Sequence, residues 1–367
     1  MSHTASRPAA PRDLQALHRQ LATLPEAKLP QVMALLEGLG PREAAETFLA
    51  PLRPRLRGVR APRRYSLARL VILPCEPLLV ETRQWKRGQT TLPRSLIRPL
   101  LADITAALGP QAAALEPMLA RLDGLDAEAV LQAGRQIWPA ASRILAEDRP
   151  AAEAQAGMPL PEYRRLCRLA AGVLAQAPAV EAAVLRARLG HPPDRPFLAG
   201  VLRGATAFGA EAFAAELAVL LARLPLAPGV LEAADDVAGS NPTLRAAAHG
   251  MLAGVLAESV RTPPPVEDLS QAVASTERTA ALLEQISAQP GRAASLAAQM
   301  AEARQAAVEA SRASIDHAAR IALPDLAERA LHEADGMEAV EQSARDLKRL
   351  TVVSRRLGAN LAADRTL

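Results

Sequence analysis

Residues 161 to 190 read PEYRRLCRLAAGVLAQAPAVEAAVLRARLG. Aliphatic and small side chains recur through this stretch with helical periodicity, and a proline opens each half at Pro161 and Pro178. Proline fits the first turn of a helix and disrupts the interior, so these two positions predict two helix starts. The same idiom continues in PFLAGVLRGATAFG, AEAFAAELAVLLARLP and NPTLRAAAHGMLAGVLAES, which predicts five helices of roughly 10 to 18 residues from Glu162 to Glu258.

Outward from this segment, Gly40-Pro41, Gly109-Pro110 and Asn241-Pro242 mark further helix starts. Leu14, Leu17, Leu21 and Leu24, then Val32, Leu35 or Leu36, and Leu39, predict two short amphipathic helices before residue 40. No residue signature recurs at a fixed period. The expected class is therefore all-α, either a multi-helical bundle or an irregular helical stack.

Composition agrees with that class. The chain has 367 residues, 50% of them hydrophobic but only 2% aromatic. A core made of alanine and branched aliphatics lets helices approach closely, whereas a sheet protein would draw on more Val, Ile, Tyr and Phe. Cys75 and Cys167 are far apart in sequence and lack C-x-x-C spacing, which predicts two buried free thiols rather than a disulfide or a thiolate metal site. MSHTASRPAAPRDLQAL at the N-terminus lacks the apolar core of a signal peptide, and LARLVILPCEPLLVE is interrupted by Arg69, Pro74, Glu76 and Pro77. A soluble, cytoplasmic chain without a transmembrane segment is the expectation.

Beyond Glu267 the helices lengthen. Asp268 with Gln271 and Asp325 with Glu328 have the spacing of capping boxes. Arg292 to Leu323 would extend about 48 Å if unbroken, at ~1.5 Å per residue. Leu326, Ala330, Met337, Val340, Ala344 and Leu347 trace a nearly heptad seam, interrupted by Glu333. A long-helix C-terminal hairpin is expected, with self-association through these helices as the alternative use of the seam.

AEDRPAAEAQAGMPLP and RTPPPV read as linkers. The expected organisation is an N-terminal helical domain at 12–145, a linker at 146–161, a central apolar helical domain at 162–260, a second linker at 261–266 and a C-terminal long-helix region at 267–360.

Charge is unevenly spread. Residues 53 to 98 carry twelve basic and two acidic side chains, a surplus of ten, while the rest of the chain sums to −6. Arg53, Arg55, Arg57, Arg60, Arg63 and Arg64 come first, and Arg83, Lys86, Arg87, Arg94 and Arg98 follow an apolar insert. The insert, Leu70–Leu73 and Leu78–Val80, reads either as two short extended segments around a turn or as a helix ending at Leu73. Arginine's planar fork of donors matches carboxylate and phosphate, so the block is a candidate binding surface, with Tyr65 and Trp85 as candidate stacking residues. An acidic protein partner is the expected occupant; nucleic acid or anionic lipid is the alternative. Competing with both is internal pairing, because only three lysines accompany forty arginines and the bias toward Arg runs through the whole chain.

Catalytic signatures are lacking. No nucleophile elbow, P-loop, dinucleotide fingerprint or paired metal-ligand motif occurs, so neither catalytic residues nor a metal or cofactor is expected. His249 reads as a packed or partly exposed histidine, Glu328 with His332 and Asp316 with Arg320 as surface pairs, and LGHPPDRPF, which holds His191, Asp194 and Arg195, as a rigid loop between helices. The expected function is non-enzymatic: macromolecule binding or scaffolding through the basic surface, the C-terminal helices, or both.

Overall fold

The structure, a computed structural model, describes residues 65–120, 122, 126–147, 157–224, 227, 229–324, 328 and 336–358. Among them are thirteen α-helices. In chain order these are α1 (Leu67–Ile72), α2 (Ile97–Leu108), α3 (Pro110–Ala120), α4 (Ala127–Ala146), α5 (Leu160–Arg188), α6 (Arg195–Thr206) and α7 (Ala210–Arg223). The remainder are α8 (Val230–Ala238), α9 (Pro242–Arg261), α10 (Leu269–Ser287), α11 (Pro290–Ser295), α12 (Ala297–His317) and α13 (Gly336–Arg356). The only strands among the described residues, β1 (Leu79–Val80) and β2 (Leu92–Pro93), pair in parallel. The protein is all-α.

The described residues fall into two units, 65–70 with 110–133 and 71–109 with 134–358. In the first, Leu70 and Leu119 are fully buried and the Leu67 amide donates to Glu116 Oε1 at 3.4 Å. In the second, α5 packs against α6 and α7, α7 against α9, and α6 against α8.

Local chemistry explains the helix starts. Asp194 accepts from the Phe197 amide at 3.0 Å, Asn241 from the Thr243 and Leu244 amides, and Asp268 from the Gln271 amide at 2.9 Å. Each supplies one of the acceptors that a helix N-terminus lacks. Gly109-Pro110 separates α2 from α3, and Asn241-Pro242 opens α9.

Pro178 does not start a helix. α5 runs through it for 29 residues, with Tyr163, Leu166, Leu169, Val173, Leu174, Val180 and Val184 buried on both sides of the proline. A mid-helix proline costs about 3 kcal/mol, and burial of several aliphatic side chains at ~1.5–3 kcal/mol each outweighs it. By length and composition α5 could cross a membrane, and 56% of its most apolar window is buried inside the fold. Fifteen of its 29 residues are buried.

Gly172 sets the closeness of α5 and α7. A Cβ built there would lie 2.7 Å from the Ala212 Cβ and 3.3 Å from the Phe208 Cβ. Gly172→Ala is expected to lower stability by about 1–3 kcal/mol through overpacking, read from the urea unfolding midpoint. A neutral result would mean that the helices separate freely at this crossing.

The apolar insert combines both expected conformations. α1 ends at Ile72, a 3₁₀ turn covers Leu73–Leu78, and Leu79–Val80 is extended. Prolines 74 and 77 favour the tight turn over a continued α-helix.

The C-terminal helices make a trio rather than only a hairpin. Glu277 pairs with Arg349 and Glu284 with Arg356, so α10 and α13 run parallel with ion pairs one heptad apart. Between α10 and α12, Thr276 meets Ser311 at 3.1 Å, while Val273 shares a core with Ile315. Residue numbers fall on one helix as they rise on the other, so α12 is antiparallel. Ala272, Val273, Ile315 and Leu350 form the centre.

Two expectations change here. Arg292–Leu323 is not one helix, because the backbone breaks at fully buried Leu296 between α11 and α12 and ends in a π turn over Ala318–Ala322. The seam on α13 runs through Leu347, Leu350, Val353 and Leu357, while Met337 is 59% exposed and Ala344 is also exposed. The core around Leu350 and the two ion pairs fix that register. Leu326, Ala330, Glu333 and His332 lie outside the described residues, as do Asp325 and all of residues 1–64.

Candidate functional site

Within the described part of the basic segment, residues 81–91 form a structured loop. β1 and β2 close its base, and the Ser95 amide donates to Thr82 Oγ1 at 3.0 Å. At its tip, the Lys86 amide donates to Gln89 Oε1 and the Gln89 amide to the Lys86 carbonyl. Gly88, at φ +82°, supplies the left-handed residue this turn needs.

The turn sits on the first turns of α5. Arg165 is the hub: its guanidinium donates to the Gln89 carbonyl at 3.0 Å, to Glu162 at 2.8 Å and to Glu211 at 2.6 Å. Arg87 lies 3.5 Å from Glu162. The hydrogen bond from Arg165 is the main force holding the Glu162 carboxyl below its usual range, against the opposing effect of burial.

Not all members of the sequence-predicted set come together. Arg94 pairs with Glu81 at 2.9 Å and Arg87 with Glu162. Arg83, Lys86 and Arg98 are exposed and make no ion pair with any described residue. Trp85 is half-buried, and its indole N–H donates to the Thr91 carbonyl at 3.1 Å. Tyr65, in the other unit, is 6% exposed with the Arg69 guanidinium 4.5 Å from its ring centre. Both candidate stacking rings are thus engaged within the fold. Arg53, Arg55, Arg57, Arg60, Arg63 and Arg64 lie outside the described residues.

Beside the loop is a cleft of about 410 Å³, lined from α5 by Pro161, Arg164, Arg165, Arg168 and Leu169 and from the start of α7 by Phe208 to Ala212. These arginines were not singled out in the sequence. A signal was present, since three cations in the opening turns of a helix oppose its dipole and usually have some other reason to be there. A groove of about 470 Å³ involving α7, α9 and α10 is lined by Pro263, Pro264 and mixed side chains, without such a concentration of one charge.

Several of the remaining polar residues hold the fold together. Asp194 caps α6, Arg195 holds Asp236 through two bonds of 2.6 and 2.7 Å, and His191 is exposed. His249 is exposed, with Nδ1 3.5 Å from Ser295 Oγ, and Asp316 lies 3.8 Å from Arg320. Burial pushes the thiols of Cys75 and Cys167 up to about 12, which leaves them protonated and poorly nucleophilic. Tyr163 donates its hydroxyl to buried Asp103, and Arg223 binds Glu181. Among the described residues no cluster of His, Cys, Asp and Glu could hold a metal ion. The chain matches no family model, no curated protein and no solved structure.

Proposed function

We propose that the chain binds an acidic protein through the basic surface of the 81–98 segment. The supporting observation is the placement of Arg83, Lys86 and Arg98, exposed and without ion-pair partners among the described residues. Internal pairing absorbs Arg87 and Arg94 but leaves these three cations. Exposed guanidinium and ammonium groups on ordered backbone, Arg83 and Lys86 on the loop and Arg98 in the first turn of α2, give long-range attraction and register toward carboxylates.

Tyr65 favours a protein over single-stranded nucleic acid, because its ring is 6% exposed and carries the Arg69 guanidinium, and half-buried Trp85 alone makes a thin stacking platform. The test is an affinity measurement with the partner captured by the full chain, comparing wild type with the triple variant R83E/K86E/R98E. The variant is expected to bind about thirtyfold more weakly, near 2 kcal/mol. Unchanged affinity removes this surface as the contact. A parallel titration with duplex DNA gives the other outcome: tight binding with a log–log salt slope of about −0.9 per neutralised phosphate would replace the protein by nucleic acid.

A further inference from the structure

We infer that the cleft between the start of α5 and the start of α7 is a binding site for a small organic oxyanion, a carboxylate or phosphate carried on an apolar body. Arg164, Arg165 and Arg168 line the cleft, and Glu211 is the one carboxylate among its lining residues. That carboxylate is already committed, since it accepts from Arg165 at 2.6 Å, and Arg165 is further held by Glu162 and by the Gln89 carbonyl. Arg165 and Glu211 therefore form a neutralised, fixed wall. Arg168 is exposed and makes no ion pair with any described residue. It presents a planar fork suited to two oxyanion oxygens.

The opposite wall adds donors. α7 begins after Gly209, whose φ of +107° and lack of a side chain leave the helix without a side-chain cap. The first intrahelical bond is from the Phe213 amide to the Gly209 carbonyl, so the amides of Ala210, Glu211 and Ala212 precede the helical ladder and face the same end as the cleft. This wall assists the arginines.

Leu169, Pro161 and half-buried Phe208 complete the lining. They contribute apolar surface that a bare inorganic ion would leave unused. The volume of about 410 Å³ exceeds what one oxyanion fills and lies in the range of small-molecule sites, ~300–1,000 Å³. Shape and chemistry together specify a ligand with an anionic head and a compact apolar body.

This inference is independent of the protein-partner proposal, because it requires no macromolecule. The test is calorimetric titration of the full chain with phenyl phosphate, benzoate and inorganic phosphate, repeated on Arg168→Glu and Ala210→Asp. Ala210→Asp places a carboxylate at the first helical position, where it favours the helix, so lost binding there is not lost folding. Phenyl phosphate or benzoate is expected to bind, with each variant weakening it about tenfold or more, near 1.4 kcal/mol. The stronger of the two identifies phosphate or carboxylate as the preferred head. Absence of binding by both organic probes overturns the site. So does binding that neither variant changes, or inorganic phosphate binding as tightly as phenyl phosphate.

Discussion

Glu216→Met raises the stability of the folded protein at neutral pH and flattens its decline toward pH 8. Glu216 sits on α7 with 0% exposure, and neither of its carboxylate oxygens has a hydrogen-bond partner among the described residues. Burial pushes its carboxyl well above the usual range, and the nearby charge of Glu181 pushes in the same direction. The folded protein therefore keeps this proton where the unfolded chain, titrating near 4.5, has released it. As pH rises above 4.5 the unfolded state binds fewer protons than the folded one. Stability then falls by about 1.4 kcal/mol per pH unit until the folded carboxyl ionises. Below 4.5 both states are protonated and the penalty vanishes.

Two variants separate the contributions. Glu216→Gln removes the titration but keeps an unpartnered polar group in the core, which costs about 1–3 kcal/mol. Glu216→Met removes both, so it should be the more stable at every pH, with the largest gain at pH 8. Urea unfolding at pH 4, 6 and 8 measures this. Parallel stability profiles for wild type and Glu216→Met would refute the assignment.

The second large effect is destabilising. Arg223 on α7 places Nε and a terminal nitrogen on Glu181 Oε1 of α5, with side-chain exposures of 20% and 11%. Arg223→Met leaves a carboxylate nine-tenths buried and close to Glu216, with its neutralising partner gone. Removing one member of such a pair costs about 3–5 kcal/mol. The double variant R223M/E181L should recover most of that loss, because it removes the stranded charge as well. A double variant no more stable than Arg223→Met alone would show that the arginine acts through packing of its aliphatic stem.

The all-α class was legible from proline placement and aliphatic periodicity, and the cases that worked share a cause. At Asn241-Pro242 and Asp268 the polar side chain before the helix accepts from the amides it precedes, so the signal and the physics are local. Pro178 differs because its context is tertiary. Burial along both halves of α5 holds that helix together across the proline. The seam of α13 shifted for the same reason, since Arg349 and Arg356 find partners 72 residues earlier, beyond any local pattern.

The candidate site was legible in part. The charge excess pointed to the 81–98 segment, yet which cations remain available depends on Glu81 and Glu162, and only folding brings Glu162 to Arg87. Arg164, Arg165 and Arg168 escaped notice because a mixed run such as YRRLCR resembles an ordinary amphipathic face. Their convergence with Gly209 and Phe208 exists only once α5 and α7 meet across Gly172.

The parallel alignment of α10 with α13 also orders events in time. At roughly 10 residues per second of synthesis, about four seconds pass between completion of α12 and of α13. Through that interval the inner faces of α10 and α12 lack the aliphatic cover that Leu350 later provides. Closing so long a loop adds an entropic barrier that local helix formation does not face. The carboxyl-terminal core therefore cannot close around Ala272, Val273 and Ile315 until the residues of α13 have been added to the chain.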